Sequence, residues 1–344
     1  MQLPEERGPL SSGVLGMLGG EAAVDFDALV AAVRGRSEVA DVVGDDDFQL
    51  AMWVMYELHY LGFEGVAEEW EWDPRLLRVR LALDGVFEAD LRRRTDEHVA
   101  AALAADGDVP ERLFDLTETI DGPSVARFVQ REATREHFKE FLVHRSVYHL
   151  KESDPASWVI PRISGKPKAA LVELLYDEYG AGRPDRLHAT MFASGLEACG
   201  LEREYGAYLD QVPAYTLAVN NAMSLFGLHR RLRAAAMGHL GAFEATSSLP
   251  SRRFVSGIRR LGLPEEVAEY FDEHIEADAV HEQLALRDIC AELVRQDPSL
   301  ERDVFFGAAV CLHLDSAAAE QMIAAWHSGR TSLRVPDLDP EAVA

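Results

Sequence analysis

The segment EYFDEHIEADAVHEQ sets His274, Asp278 and His281 at i, i+4 and i+7. At about 100° per residue these three fall within about 60° of one another on a helix surface. Two imidazoles and a carboxylate on one stripe can converge on a metal ion. The plain alternative is a solvated acidic face, because Asp272, Glu273, Glu276 and Glu282 share the segment. A face turned to water has no need of imidazole. Glu244 sits in MGHLGAFEATSSLP among small and apolar residues, where a carboxylate is costly to bury unless something pairs with it. Its plain alternative is a solvated helix end. His239, five residues earlier, falls on another face and reads as a packed or surface histidine. Glu152 closes HRSVYHLKESDP on a stripe with Phe141, Arg145 and Tyr148, and it could equally be a solvated helix end; His144 and His149 lie off that stripe and read as structural or surface residues.

Glu178 and His188 flank EYGAGRPDRLH, a stretch that two glycines and a proline interrupt. On an unbroken helix ten residues would turn these side chains by about 1000°, leaving them about 80° apart and ~15 Å apart along the axis. One metal cannot reach both. A break at Gly180, Gly182 and Pro184 would let the chain fold back and bring them together, or it could be an ordinary helix junction. Asp177 points to a different helix face from Glu178 and reads as a supporting or surface group.

The elements that would hold these groups are helices. Ala, Leu, Glu and Arg dominate, and β-type alternation is scarce. Residues 1–22 read as a flexible leader, a helix is expected over Asp25–Arg34, and an aromatic helix over Phe48–Tyr60. Asp73 and Pro74 make a helix start. AADGDVPE (104–111) reads as a linker or loop. From Ser124 to about Trp326 long helices follow, with breaks at SDPASWVIPRISGKP, GAGRP, CGLEREYG, SSLPSRR and GLP. Such short breaks predict an all-α bundle, with a frayed tail after Ser328.

Bulk properties remove several function classes. The net charge of −25 argues against nucleic acid and acidic membranes as partners. No apolar run approaches the ~18 residues of a membrane span. The amino-terminal stretch lacks the form of a secretory signal, so a cytoplasmic protein is expected. Cys199, Cys290 and Cys311 are scattered, without CxxC spacing, and read as buried, inert thiols.

Taken together, LKESDP, VELLYDEYGAGRPDRLHATMF, MSLFGLHRRLRAAAMGHLGAFEATSSLP and DEHIEADAVHEQ resemble the haem-oxygenase-like diiron oxidases, the non-haem iron-containing redox enzymes. The likeness covers about Ser124 to Arg334. It implies a haem-oxygenase-like helical bundle (121–334) with an N-terminal helical assembly region (1–120), acting as a homodimer, and a tail (335–344). It implies that Glu152, Glu178, His188, Glu244, His274, Asp278 and His281 hold two Fe ions cycling between Fe2+ and Fe3+, with O2 as co-substrate. Four carboxylates would balance two divalent ions, and oxygen and nitrogen donors without thiolate suit iron or manganese. The resemblance also implies that His274 is the additional histidine found in members that tend to oxygenate nitrogen. The implied activity is therefore oxygenation of a small amine, guanidine or amino-acid-like substrate, fed by an external electron donor because the cysteines form no redox dithiol. Arg145, Tyr148 and Arg186 could clamp a substrate carboxylate or serve structural ion pairs. Competing expectations are C–H abstraction with C–C or C–N cleavage, and a non-catalytic metal-binding helical dimer.

Overall fold

The computed structural model describes residues 1–20, 24–36, 41–120 and 122–334, apart from the side chains of residues 276–280. Among the described residues there is no strand, as the helical composition predicts. The first group of helices is α1 (Pro9–Leu18), α2 (Phe26–Arg36), α3 (Asp46–Glu57), α4 (Pro74–Ala104) and α5 (Val109–Thr119). The remainder comprises α6 (Val125–Arg131), α7 (Arg135–His149), the short α8 (Asp154–Ser157), α9 (Lys166–Glu178), α10 (His188–Ala198), α11 (Ala214–Leu228), α12 (Arg233–Leu261), α13 (Glu265–Gln283), α14 (Glu292–Gln296) and α15 (Glu301–His327). A π-helical stretch, Leu284–Ala291, continues directly from α13.

Local chemistry starts many of these helices. Asp45 accepts from the Phe48 amide, and Asp73 from Arg75 ahead of Pro74. Asp108 and Glu111 close a capping box on α5, so of the linker or loop expected over 104–111 the structure has the short loop between α4 and α5. Gly262, left-handed at φ 61°, ends α12.

Three expectations are overturned. Residues 9–18 are no loose leader: α1 buries Leu10, Val14, Met17 and Leu18, and Asp47 of α3 receives the Leu10 and Ser11 amides at 3.0 and 2.7 Å. Those amides have no partner within α1, so a carboxylate from another helix caps it. Secondly, α12 runs straight through Pro250. The missing N–H is one lost bond, whereas Phe254, Val255 and Ile258 beyond it are buried, and that burial outweighs the loss. Thirdly, the residues after Ser328 do not fray at once. Ser332 donates to Glu140 from its amide and hydroxyl at 2.8 and 2.7 Å, and the Arg334 amide donates to the Gln211 carbonyl at 2.7 Å.

Helix α12 packs along both α13 and α15. Against α15 the approach is close enough to require glycine: a Cβ at Gly238 would lie 1.9 Å from the Val304 carbonyl oxygen, and one at Gly307 equally near that of Ala235. This places α12, which carries Glu244, deep in the molecule.

Candidate metal centre

Five segments deliver the chemistry-bearing side chains. Glu152 is not on α7 itself but in the turn after it, next to Ser153, which takes the left-handed conformation at φ 72°. Glu178 is the last residue of α9, and His188 the first of α10. Between them Gly180, Ala181 and Gly182 are all left-handed (φ 68°, 53° and 79°) and form one short 3-10 turn, and a second, Pro184–Arg186, follows. The break folds the chain back on itself as the spacing argument requires: His188 Nδ1 lies 3.0 Å from Glu178 Oε2. Gly180 is obligatory here, since a Cβ would lie 2.5 Å from the Arg186 carbonyl carbon and 2.6 Å from the Leu187 nitrogen. Glu244 comes from mid-α12, and His274 and His281 from α13. The side chain of Asp278 lies outside the described residues.

The six described groups form two sets that share one member. Glu152, Glu178, His188 and His274 offer donor atoms all within 4.8 Å of one another, and so do Glu178, Glu244 and His281. Oε2 of Glu178 faces His188, whereas Oε1 lies 3.4 Å from His281 Nδ1. Glu244 Oε2 is 3.6 Å from the same nitrogen. His274 Nε2 lies 3.8 Å from Glu152 Oε1, and His188 Nδ1 4.0 Å from Glu152 Oε2. All six residues are buried, the most exposed being His274 at 7%.

Two features suit a metal. Nδ1 of His188 and Nδ1 of His281 are buried and make no hydrogen bond, although carboxylate oxygens stand 3.0–3.6 Å away. A buried ring nitrogen without a bond is costly, and these two turn toward the space between the carboxylates. The donors are oxygen and nitrogen, and Cys199, Cys290 and Cys311 are buried free thiols. That chemistry fits iron. Without metal the imidazoles answer the carboxylates instead. Burial alone would lower the His281 pKa, but Glu244, Glu178 and Asp177 push it up to about 9. His188 is likewise raised, its burial outweighed by Glu178. Metal entry therefore displaces protons.

Of the supporting groups, Asp177 was read in the sequence as a supporting or surface residue, whereas Tyr270 went unread and His149 was taken as structural or surface. The Tyr270 hydroxyl donates to Glu152 at 2.8 Å and also meets His149 Nδ1. Burial, and then Glu152, holds that phenol well above its ordinary pKa, so it keeps its proton. Its spacing could have revealed it, for Tyr270 stands one turn before His274 on the same stripe. His149, read as structural or surface, sits 3.1 Å from Glu152 Oε1. Asp177 lies 3.4 Å from His281 Nε2, the nitrogen opposite the one facing Glu178, and so orients that ring.

A cavity of about 280 Å³ opens beside Glu152 and His274. Tyr148 and Phe243 wall it, and buried His144 and His239 line it together with Asn220. Arg145 borders it and pairs with Asp315 at 3.1 Å, whereas Arg186 pairs with Glu273 of α13.

Residues 139–316, over half of the chain and the span holding all of these donors, match the iron-containing redox enzymes. The chain belongs to that family. This iron-containing redox enzyme is also 28% identical over 188 residues to nitrosourea synthase of Streptomyces achromogenes subsp. streptozoticus. The aligned region is 54% of this chain and 40% of that relative, so the chain spans about two fifths of the length of the curated protein it matches. Among the described residues of this iron-containing redox enzyme, no helix is long and apolar enough to cross a membrane.

Proposed function

We propose that the protein is a diiron, O2-activating oxygenase that oxygenates nitrogen on a small amine, guanidine or amino-acid-like substrate. One observation carries the reading: two buried donor sets share Glu178, whose two oxygens face opposite sets. A carboxylate so placed can bridge two ions. Glu152, His188 and His274 would complete one coordination sphere, and Glu244 and His281 the other. Asp278, from the same turn of sequence as His281, is proposed as the seventh ligand.

Bound ferrous iron supplies the reduction of O2 and the transfer of one oxygen atom to the substrate. In balance, an amine, O2, two electrons and two protons give a hydroxylamine and water, the electrons coming from an external donor. The chain's own groups do the rest. Tyr270 keeps Glu152 in place by donating to it, and Asp177 fixes the ring of His281. The cavity admits a small molecule beside Glu152 and His274, with Arg145 placed to meet an anionic end if it releases Asp315. Nitrogen oxygenation is favoured over C–H cleavage because His274 lies within the four-donor set. The product named by the matched relative, a nitrosourea, also carries oxidised nitrogen. Assembly as a homodimer through residues 1–120 and a cytoplasmic setting belong to the same proposal.

The test is anaerobic ferrous loading, followed by O2 uptake with a panel of amines, guanidines and amino acids. Two irons per chain, substrate-dependent O2 uptake and products that gain one oxygen on nitrogen are expected. Alkene or aldehyde products would shift the reading to C–H cleavage, and bound iron with no O2 uptake would leave a metal-binding protein without turnover.

A further inference from the structure

A second buried charged cluster lies next to the metal centre. Lys151, the residue before Glu152, points away into a nest of aromatic rings. Its Nζ lies 3.0 Å from Glu57 Oε2, at the end of α3, with the two side chains 3% and 0% exposed. The ammonium also stands 4.3 Å from the Tyr60 ring centre and 5.4 Å from those of Trp53 and Tyr205. Glu57 is satisfied as well: the Tyr205 hydroxyl donates to it at 2.8 Å and the Leu61 amide at 3.3 Å.

The pair sits where the backbone needs holding. The turn from Leu150 to Ser153 contains the left-handed Ser153, a conformation that persists only when its surroundings over-determine it. Lys151 anchors this turn from one side. From the other, the Ser153 hydroxyl reaches Glu178 at 3.4 Å and Tyr179 donates to Asp154 at 2.9 Å. A buried ion pair is a poor device for stability alone, since well-packed apolar side chains do as well or better. What the pair offers that methionines would not is direction: one charge-assisted hydrogen bond to a fixed point on another helix.

We infer that Lys151 and Glu57 are positioning residues that hold the 150–153 turn so that Glu152 stays in its four-donor set. The first part of the chain then completes the metal centre from 94 positions away in sequence. The inference rests on the metal reading given above, and the experiment separates the two.

Wild type, Glu57→Gln, the double variant Glu57→Met/Lys151→Met and the reference Glu152→Ala are loaded anaerobically with ferrous ion and desalted. Iron per chain, thermal melting and the Mössbauer spectrum are then measured. Wild type should retain two irons. Glu57→Gln and the double variant should fall to about one, with the residual Mössbauer signal matching that of Glu152→Ala, while the double variant melts near wild type. The double variant keeps an apolar pair in the nest, so its result stands whatever Glu57→Gln does to folding. Two irons retained in the double variant would overturn the inference and leave the metal reading intact. Wild type that takes up no iron would remove the metal reading and this inference with it.

Discussion

Tyr270 and the buried histidines set the behaviour expected at single residues. Tyr270→Phe deletes the hydroxyl that donates to Glu152 and leaves the ring packing unchanged. Supporting groups of this kind typically change metal affinity about 10–100-fold. A loss of about 10-fold is expected at the set containing Glu152, with little change in melting temperature, measured by ferrous titration against a chelator; unchanged affinity would remove Tyr270 from the site. His144 and His239 give the folded protein an acid sensitivity. Burial pulls each down to about 4, against about 6.5 in an unfolded chain. Above pH 6.5 both states are neutral and the full stability is present. Between pH 6.5 and 4 the unfolded chain takes up protons that the folded one refuses, and stability falls by up to about 1.4 kcal/mol per pH unit per histidine. His239→Phe should therefore flatten the melting temperature curve across that window. Parallel curves for variant and wild type would show that His239 does not titrate this way.

Among the elements, the break between α9 and α10 separates two roles of glycine. Gly182 is left-handed at φ 79° with open space around its Cβ position, whereas Gly180 has backbone 2.5 Å away. Gly182→Ala should cost about 1–2 kcal/mol, the strain of a left-handed alanine, and leave iron binding as it was. Gly180→Ala carries that strain and also forces Arg186 and Leu187 outward, taking His188 from Glu178. It should lose iron from the four-donor set while the other set persists. Equal iron content in the two variants would refute this division. The break itself was legible in the sequence from its glycines and proline, but that it joins two candidate ligands rather than serving as an ordinary helix junction was settled only by the 3.0 Å approach of His188 to Glu178. The course of α12 was not, since proline normally stops a helix and only the burial of Phe254, Val255 and Ile258 beyond it shows why this one continues.

Across the whole molecule, one apolar cluster runs from Leu10 in α1 to Leu314 in α15, and a second surrounds Phe128, Phe141 and Phe271. The helices before residue 120 thus share a core with the bundle. Removing residues 1–20 would uncover the surface under Leu10, Val14, Met17 and Leu18, all at most 4% exposed. At about 1.5–3 kcal/mol per side chain, an upper bound of about 6–12 kcal/mol, the loss rivals the stability of a whole domain. The truncated chain should fail to melt cooperatively by circular dichroism. A melting temperature within a few degrees of the full chain would show that α1 is dispensable.

The residue types and their spacing determined by themselves that this chain is helical, that its candidate ligands are carboxylates and imidazoles, and that α9 must break before His188. These follow from helix periodicity and from the chemistry of glycine, proline and histidine, which act within a few residues. Only the tertiary structure decided that Glu178 stands between two donor sets, that Tyr270 and His149 support Glu152, that α1 is capped by Asp47, and that Lys151 meets Glu57. Those contacts join segments up to 121 positions apart. They depend on how helices rotate and cross when their apolar faces pack, and no local pattern encodes that.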